Sequence, residues 1–171
     1  MKWIAIQQLH AEAAERLVVA AERVDPQKWL VPRAEGKWTP AQVVEHLTRV
    51  YDVLTNEIEG GPGMKIRVKF WQRMFLRVTV LGRILKGGWF PEGATAPFET
   101  RPGSVTSDQR EAISGFRARA AQFAAAAANA QESGRRVRVT HAYFGAASIE
   151  RATLLCTRHI EHHEKQLSPG D

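Results

Sequence analysis

Apolar residues recur along much of the chain at intervals of three and four, and this spacing predicts amphipathic helices. The first helix is predicted over residues 4–24. The second has a clear start, because Thr39 is a good N-cap, Pro40 suits the first helical position and Gln42 completes a capping box. The glycine-rich run at 60–63 ends this second helix.

Three further helices are predicted from the same periodicity. The third is predicted over 65–86 and is apolar nearly all round apart from its cations. The fourth begins near 107–108 and ends at 133–134, and the last runs from Ser148 to about Leu167. The proline- and glycine-rich stretch GGWFPEGATAPFETRPG, between the third and fourth helices, predicts an extended crossover loop.

The segment RRVRVTHAYFG before the last helix is predicted to be an irregular connection. Val137 and Val139 alternate with arginines and would allow a short strand, but no longer strand pattern and no internal repeat occur. The predicted fold class is therefore all-α. We expect a single domain over 1–171, built as an antiparallel four-helix bundle with an additional basic helical segment and a long Pro/Gly-rich crossover loop.

Length and cysteine content favour a soluble protein of the reducing cytoplasm. A chain of 171 residues can bury a sizeable core without disulfide bonds, and its single cysteine, Cys156, cannot form an internal one. Polar residues interrupt the N-terminal apolar positions before they could form a secretory signal. No run of apolar residues has the length that a membrane-spanning helix requires. We therefore expect a cytoplasmic location.

The formal net charge of +6 is concentrated in one place, because residues 64–91 contain seven basic residues and no acidic one. Such a block can attract anionic lipid, nucleic acid or an anionic substrate. No known DNA-reading motif accompanies it. A solvated cationic face over an ordinary core helix, or a dimer surface, is the simpler interpretation. The seven residues are Lys65, Arg67, Lys69, Arg73, Arg77, Arg83 and Lys86.

The histidines are the candidate chemistry. His159 and His163 are four residues apart, so a helix places them on one face, where two imidazole nitrogens can reach the same ion. Both continue the apolar stripe of the last helix. His46 continues the apolar stripe of the second helix. Three inward histidines would supply three metal ligands and leave coordination positions open, as catalytic sites do.

Each histidine also has a plainer interpretation. The HxxxH pair can be a partly solvated helix end, where histidines suit the helix dipole, and His46 can be a hydrogen-bonded core residue. Three buried imidazoles without a ligand, however, would need hydrogen-bond partners. The pattern is not that of an HExxH protease, because Ile160 follows His159 and Glu161 faces away from the pair. The last helix therefore supplies no general base, and no catalytic residue is identified.

The other candidate residues are assigned plainer roles. We expect His162 to lie beside the pair and His10, which has no evident partner, to be exposed. His141 is interpreted as a connector side chain that bonds to nearby backbone, with a role at the pocket as the alternative. Cys156 is on the same face as His159, where a buried cysteine is usually a small apolar filler.

Four stretches together resemble the DinB-like (YfiT-like) superfamily of four-helix metalloenzymes. They are GKWTPAQVVEHL at 36–47, the basic-aromatic middle, THAYFGAAS at 140–148 and HIEHHEKQL at 159–167. The resemblance covers most of the chain. It points to a branch classified as a domain of unknown function, whose members carry a "HL" histidine, "HPxFG" and "HxxHHxxQ".

This resemblance implies that His46, His159 and His163 hold a divalent metal ion such as Zn²⁺, Ni²⁺ or Fe²⁺. Characterised relatives include thiol-dependent transferases and isomerases that use a small-molecule thiol as co-substrate, and homodimers are common among them. Two positions depart from the branch. Ala142 replaces a proline and Arg151 replaces a common tryptophan, so the identity of the substrate does not carry over.

These observations lead to two hypotheses about function. The first is a metal-dependent enzyme that activates a thiol for transfer or, alternatively, water for hydrolysis. The second is a non-enzymatic binding module that uses the basic-aromatic segment 65–86 to contact a membrane surface, nucleic acid or a second subunit.

Overall fold

The computed structural model describes residues 1–87, 89–91, 95–105 and 108–167, which are mostly helical. Within these residues the α-helices are α1 (Trp3–Glu22), α2 (Pro40–Ile58), α3 (Phe70–Leu76), α4 (Gly82–Gly87), α5 (Gln109–Glu132) and α6 (Ile149–Leu167). A π-helical turn (Arg77–Leu81) joins α3 to α4, and short 3₁₀ turns occupy Pro26–Lys28 and Phe98–Thr100. Two strands, β1 (Arg138–His141) and β2 (Gly145–Ser148), form a hairpin before α6.

The four long helices share one hydrophobic core. Helix α1 packs against α6 and α5, while α2 packs against α5 and also contacts α6. Their inward faces are apolar at helical spacing, which is why the amphipathic pattern of the sequence locates them correctly. Fully buried members of the core include Leu17, Val44, Leu47, Tyr51, Phe116, Phe123 and Ile160.

Local hydrogen bonds start two of these helices at the predicted places. The Thr39 hydroxyl accepts from the Gln42 amide (3.1 Å), and the Gln42 side chain accepts from the Thr39 amide (3.0 Å). This is the capping box expected from the sequence. Helix α5 is capped by the Asp108 carboxylate, which accepts from the Glu111 amide at 2.9 Å. Residue 107 lies outside the described part of the chain.

The third predicted helix is only partly correct. Helix begins at Phe70 rather than at residue 65, and the π turn interrupts it. Because a π turn holds one extra residue, it rotates the next helical segment by ~100° relative to an uninterrupted α-helix. The apolar residues of this segment therefore do not share one face: Met74 and Val78 are exposed, whereas Leu81 is buried.

The connection before α6 is a hairpin, so the expectation of an irregular segment there was wrong. Strands β1 and β2 pair antiparallel, with Val139 opposite Ala147. Tertiary contacts hold the hairpin, because the Glu57 carboxylate accepts from both the amide and the hydroxyl of Thr140, each at 2.7 Å. Ser148 is the last residue of β2, and α6 therefore starts one residue later than predicted.

The crossover between α4 and α5 is described at 89–91 and 95–105, where it contains the 3₁₀ turn Phe98–Thr100. The remaining loop positions, 88, 92–94 and 106, lie outside the described residues. Among the helices that the structure describes, none combines the length and apolar character needed to cross a bilayer.

Candidate metal centre

Helices α2 and α6 bring together the three histidines that the sequence singled out. His46 points inward from α2, and His159 and His163 lie one turn apart on α6. The Nε2 atom of His159 is 3.2 Å from that of His46 and 3.0 Å from that of His163. His46 and His163 are buried and His159 is half-buried. Residues 113 positions apart in the chain thus form one cluster of imidazole nitrogens.

In two of these rings, the Nδ1 atom, which points away from the cluster, is hydrogen-bonded to an oxygen. His46 Nδ1 lies 2.7 Å from the Thr100 carbonyl oxygen, and His163 Nδ1 lies 2.9 Å from the Gln166 side-chain oxygen. Because an oxygen of either kind only accepts, each Nδ1 must carry the proton and donate it. The Nε2 atoms of His46 and His163 are therefore lone-pair acceptors that face the centre of the cluster.

This arrangement fits a bound cation. A single proton on His159 Nε2 would have to be shared between two facing lone pairs, whereas a cation can accept all three nitrogens at once. Nitrogens bound to one ion at ~2.0–2.1 Å stand roughly 2.9–3.4 Å apart, depending on octahedral or tetrahedral geometry. The observed separations of 3.0 and 3.2 Å fall in that interval. Three neutral nitrogen donors suit Zn²⁺, Ni²⁺ and Fe²⁺ alike.

Burial keeps the cluster unprotonated. It lowers the pKa of His46 to about 4 and that of His163 to about 3. Neighbouring histidines lower both values further, whereas the acceptors Thr100 and Gln166 oppose the shift. The pKa of His159 is well below its ordinary value, because of burial first and of the facing imidazoles second. Neutral imidazole is the form that binds metal, so protons compete weakly for this site.

Two aromatic side chains flank the histidines. Trp38 stacks on His163 with ring centroids 6.0 Å apart and also packs against His46 at 4.9 Å. Phe90, from the segment after α4, stacks on His159 at 5.5 Å. These rings surround the nitrogens with apolar surface, which lowers the local dielectric and strengthens any charge interaction there.

The remaining α6 residues fall where their positions predict. His162 lies beside the pair and packs on Phe90, and its Nε2 atom is 3.2 Å from the side-chain Nε2 atom of Gln166. Glu161 faces away and forms ion pairs with Arg16 (3.2 Å) and Arg158 (2.8 Å). Cys156 is buried as a core filler, and burial raises the pKa of its thiol to about 12. A thiol of this kind is not a nucleophile at neutral pH.

His141 behaves as the connector residue that the sequence suggested. Its Nδ1 atom accepts from the Tyr143 amide at 3.2 Å, and its ring stacks on Phe144 at 4.5 Å. Burial lowers the pKa of His141 to about 4. Its role in the hairpin is thus a local, neutral hydrogen bond.

His10 contradicts the expectation of an exposed residue. It is buried on the inner face of α1, and its Nε2 atom lies 2.7 Å from the hydroxyl of Tyr51 on α2. The sequence contained a usable signal, because His10 falls four residues after Ile6 and three before Ala13, both of which are buried. Its partner, 41 residues away, was not visible from spacing alone.

Trp38, Phe90 and Thr100 are residues of the site that the sequence did not indicate. Trp38 directly precedes the capped start of α2, so a position beside His46 could have been inferred from that cap. Phe90 and Thr100 belong to the crossover loop, which has no periodicity from which a direction can be read.

Of three comparisons with known proteins, the one with family models gave a match. Neither the comparison with curated proteins nor the one with solved structures found a match. The family model of the DinB superfamily matches residues 9–167, a range that includes His46, His159 and His163. Since this match covers most of the 171 residues, the chain belongs to the DinB superfamily.

Proposed function

We propose that the protein is a metal-dependent enzyme whose divalent ion is held by His46, His159 and His163, and that it catalyses thiol-dependent transfer. The observation that carries the proposal is the convergence of three imidazole Nε2 atoms at separations of 3.0 and 3.2 Å. The four long helices are inferred to form the antiparallel bundle of this superfamily, a scaffold that builds such sites from side chains on facing helices.

When bound, a divalent ion would supply Lewis-acid chemistry that lowers the pKa of a thiol reaching it. The chain's own residues prepare the site. Thr100 and Gln166 hold His46 and His163 in the tautomer whose Nε2 atom is free to coordinate. Trp38 and Phe90 stack on the rings of His163 and His159 and cover one flank of each.

We propose a thiol rather than water as the nucleophile because the resemblance to characterised thiol-dependent DinB-like enzymes implies it. No carboxylate of the described residues hydrogen-bonds to the three histidines, whose partners are the Thr100 carbonyl, the Gln166 amide and one another. Deprotonation of the nucleophile would therefore depend on the ion rather than on a carboxylate bonded to these histidines. An ion of this kind lowers the pKa of bound water to about 7 and would likewise lower that of a thiol, whose ordinary value is about 8.5, so either nucleophile is chemically accessible.

Metal analysis tests the first half of the proposal. The purified protein, stripped with a chelator and reconstituted separately with Zn²⁺, Ni²⁺ and Fe²⁺ (the last anaerobically), is expected to bind one ion per chain. His159→Ala should reduce this to background, while His162→Ala, which removes a neighbouring ring, should retain the ion. Failure of the wild-type protein to take up any of the three would refute the metal site.

An activity assay tests the second half. The reconstituted protein is incubated with a small thiol, such as cysteine or glutathione, and an electrophile whose thioether product absorbs in the near ultraviolet. Product formation should exceed the rate without protein and should be lost in His159→Ala. A metal-loaded protein that hydrolyses an ester but transfers no thiol would retain the site and overturn the transferase assignment.

A further inference from the structure

We propose that the outer face of α3 and the π turn docks on the surface of an anionic lipid bilayer. Large apolar side chains are strongly exposed there, with between 45% and 76% of their surface accessible. Contiguous apolar exposure of this kind on a folded protein marks a site of interaction. We refer to this surface as the aromatic face. Its residues are Phe70, Trp71, Met74, Phe75 and Val78.

Helical spacing places these five residues in one stripe. They occupy positions i, i+1, i+4, i+5 and i+8, and at ~100° per residue they span an arc of ~140°. No residue of α3 itself is buried. The segment is held from its other side, where Leu81 and Ile84 pack against Phe144. Arg77 adds hydrogen bonds to the hairpin carbonyls of Phe144 (2.7 Å) and Ala146 (3.0 Å). The stripe is thus displayed on an anchored element.

Cations accompany the aromatic face. Residues 64–91 contain seven basic residues and no acidic one, and the side chains of Lys69, Arg83 and Lys86 are exposed. The Arg73 guanidinium lies 5.3 Å from the centre of the Phe70 ring, and that of Arg83 lies 5.8 Å from the ring of Trp89. Apolar residues in a stripe with Lys and Arg beside them are the composition of helices that lie in a membrane interface.

The charge pattern favours an anionic surface over a second copy of this chain. A two-fold contact through the aromatic face would bring like charges of the two copies towards each other, and segment 64–91 has no carboxylate to separate them. A bilayer containing acidic lipids offers both negative charge and an apolar phase. Its phosphates can contact the cations while the apolar side chains enter the boundary of the acyl region.

Nucleic acid fits the same face less well. Single strands are bound in basic grooves, with aromatic rings on which the bases stack. Val78 is the most exposed of the five residues, and with Met74 it extends the stripe with side chains that offer no ring for stacking. Transfer of aliphatic surface from water into a bilayer is favourable, whereas contact of that surface with polar bases and phosphates is not.

Vesicle co-sedimentation tests the proposal with the full chain. At about 50 mM salt, the protein is expected to sediment with vesicles of phosphatidylcholine and phosphatidylglycerol (7:3) and to stay in solution with phosphatidylcholine alone. Raising the salt to about 500 mM should weaken the binding, because the electrostatic part is screened. Trp71→Ser/Phe75→Ser should reduce the partition coefficient by roughly tenfold or more through loss of buried apolar surface.

Charge reversal provides a second, independent variant. Lys69→Glu/Lys86→Glu changes two exposed side chains and should reduce the partition coefficient by roughly tenfold or more at low salt. The matched control Lys28→Glu/Arg110→Glu makes the same change in net charge at exposed positions outside the segment. It should lower binding by no more than about threefold, since those charges do not belong to the docking face. Thermal melts followed by circular dichroism verify that each variant is folded.

Three kinds of result would overturn the proposal. The first is failure of the vesicle test itself. The folded wild-type protein would not sediment with acidic vesicles at low salt, or the two charge-reversal variants would lose binding equally. Another is a wild-type dimer in sedimentation velocity that Trp71→Ser/Phe75→Ser converts to monomer, in the absence of vesicle binding, which would assign the face to a second copy. The third is salt-sensitive binding to a single-stranded oligonucleotide with none to vesicles. The proposal does not depend on the metal site, so these results leave the proposed function intact.

Discussion

His10 and the three-histidine cluster differ in the hydrogen-bond partners of their buried ring nitrogens. His10, in the core between α1 and α2, has a single partner, the Tyr51 hydroxyl at 2.7 Å, and a phenol can either donate or accept. His46 and His163 are about as deeply buried. Their inner nitrogens, however, face the nitrogen of His159 rather than a hydroxyl or a carbonyl.

Burial by itself therefore does not distinguish a ligand from a structural histidine. Burial lowers the pKa of His10 and that of His46 alike to about 4, so both rings are neutral at physiological pH. The two differ in whether each ring nitrogen has a hydrogen-bond partner of the matching kind within the protein. The His10 pair is complete within the protein, whereas the three-histidine cluster has more acceptors than protons and could be completed by a cation.

The largest expected effect separates the two groups by metal affinity. His46→Ala removes one of three donors and should weaken binding of Zn²⁺ by roughly a thousandfold, since each ligand contributes a large share of the coordination energy. His10→Ala, the matched substitution of another buried histidine, should leave the affinity unchanged. Competition titration with a chromogenic chelator measures both. Equal losses in the two variants would show that the effect is one of folding rather than coordination.

Stability of the metal-free protein, in contrast to metal affinity, is expected to depend strongly on His10. His10→Ala opens a cavity in the core and leaves the Tyr51 hydroxyl without its partner, which should lower the free energy of unfolding by about 3 kcal/mol. His162→Ala, at a half-buried position, should cost less than about 1 kcal/mol. Urea denaturation of both variants provides the comparison. A His10→Ala protein as stable as the wild type would contradict the buried pair.

Acid sensitivity sharpens the same contrast. Because the pKa of His10 is about 4 in the folded protein and about 6.5 when exposed, the unfolded chain takes up the proton first as the pH falls. The stabilising contribution of His10 is thus complete above about pH 6.5 and is lost as the pH falls towards 4. Between pH 7.5 and 4.5 the loss amounts to roughly 2–3 kcal/mol.

His10→Gln isolates this contribution, because the amide can bond to Tyr51 but does not titrate. In metal-free protein, the decrease in unfolding free energy from pH 7.5 to 4.5 should be smaller in this variant by roughly 2–3 kcal/mol. Urea melts at the two pH values supply the numbers. Identical decreases in variant and wild type would mean that His10 is accessible to protons in the folded state.

The smallest effect concerns the outer side of the metal centre. Gln166→Ala removes the acceptor that holds the proton on His163 Nδ1, and it should weaken metal binding by about tenfold without abolishing it. Lys165→Ala changes the adjacent, exposed residue and should have no effect. The same competition titration applies. An unchanged affinity in Gln166→Ala would show that the tautomer of His163 is set without this bond.

Much of the helical framework was predictable because its signals are local. The capping box at Thr39 and Gln42 depends on residues three apart, and the orientation of His46 follows from its place between Val43 and Val50 on one helix face. The pair His159 and His163 needed only the spacing of four within α6. For these features of α2 and α6, local periodicity was sufficient.

Prediction failed where distant residues determine the structure. Strand β2 consists of the weak strand formers GAAS, and the hairpin depends on Glu57 and Arg77, which lie far from it in the chain. The π turn has no local signal in the sequence either, and Leu81, its last residue, packs against Phe144, which is distant in the chain.

By itself the sequence determined the four long helices, where two of them are capped and that His46, His159 and His163 share the inward faces of α2 and α6. Each of these features depends on residues within a few positions of one another. The tertiary structure decided that Nε2 atoms 113 residues apart lie within 3.2 Å, and which oxygens fix their tautomers. It also decided that His10 is paired and that the aromatic face is exposed. These outcomes depend on how whole helices pack, which no local pattern encodes.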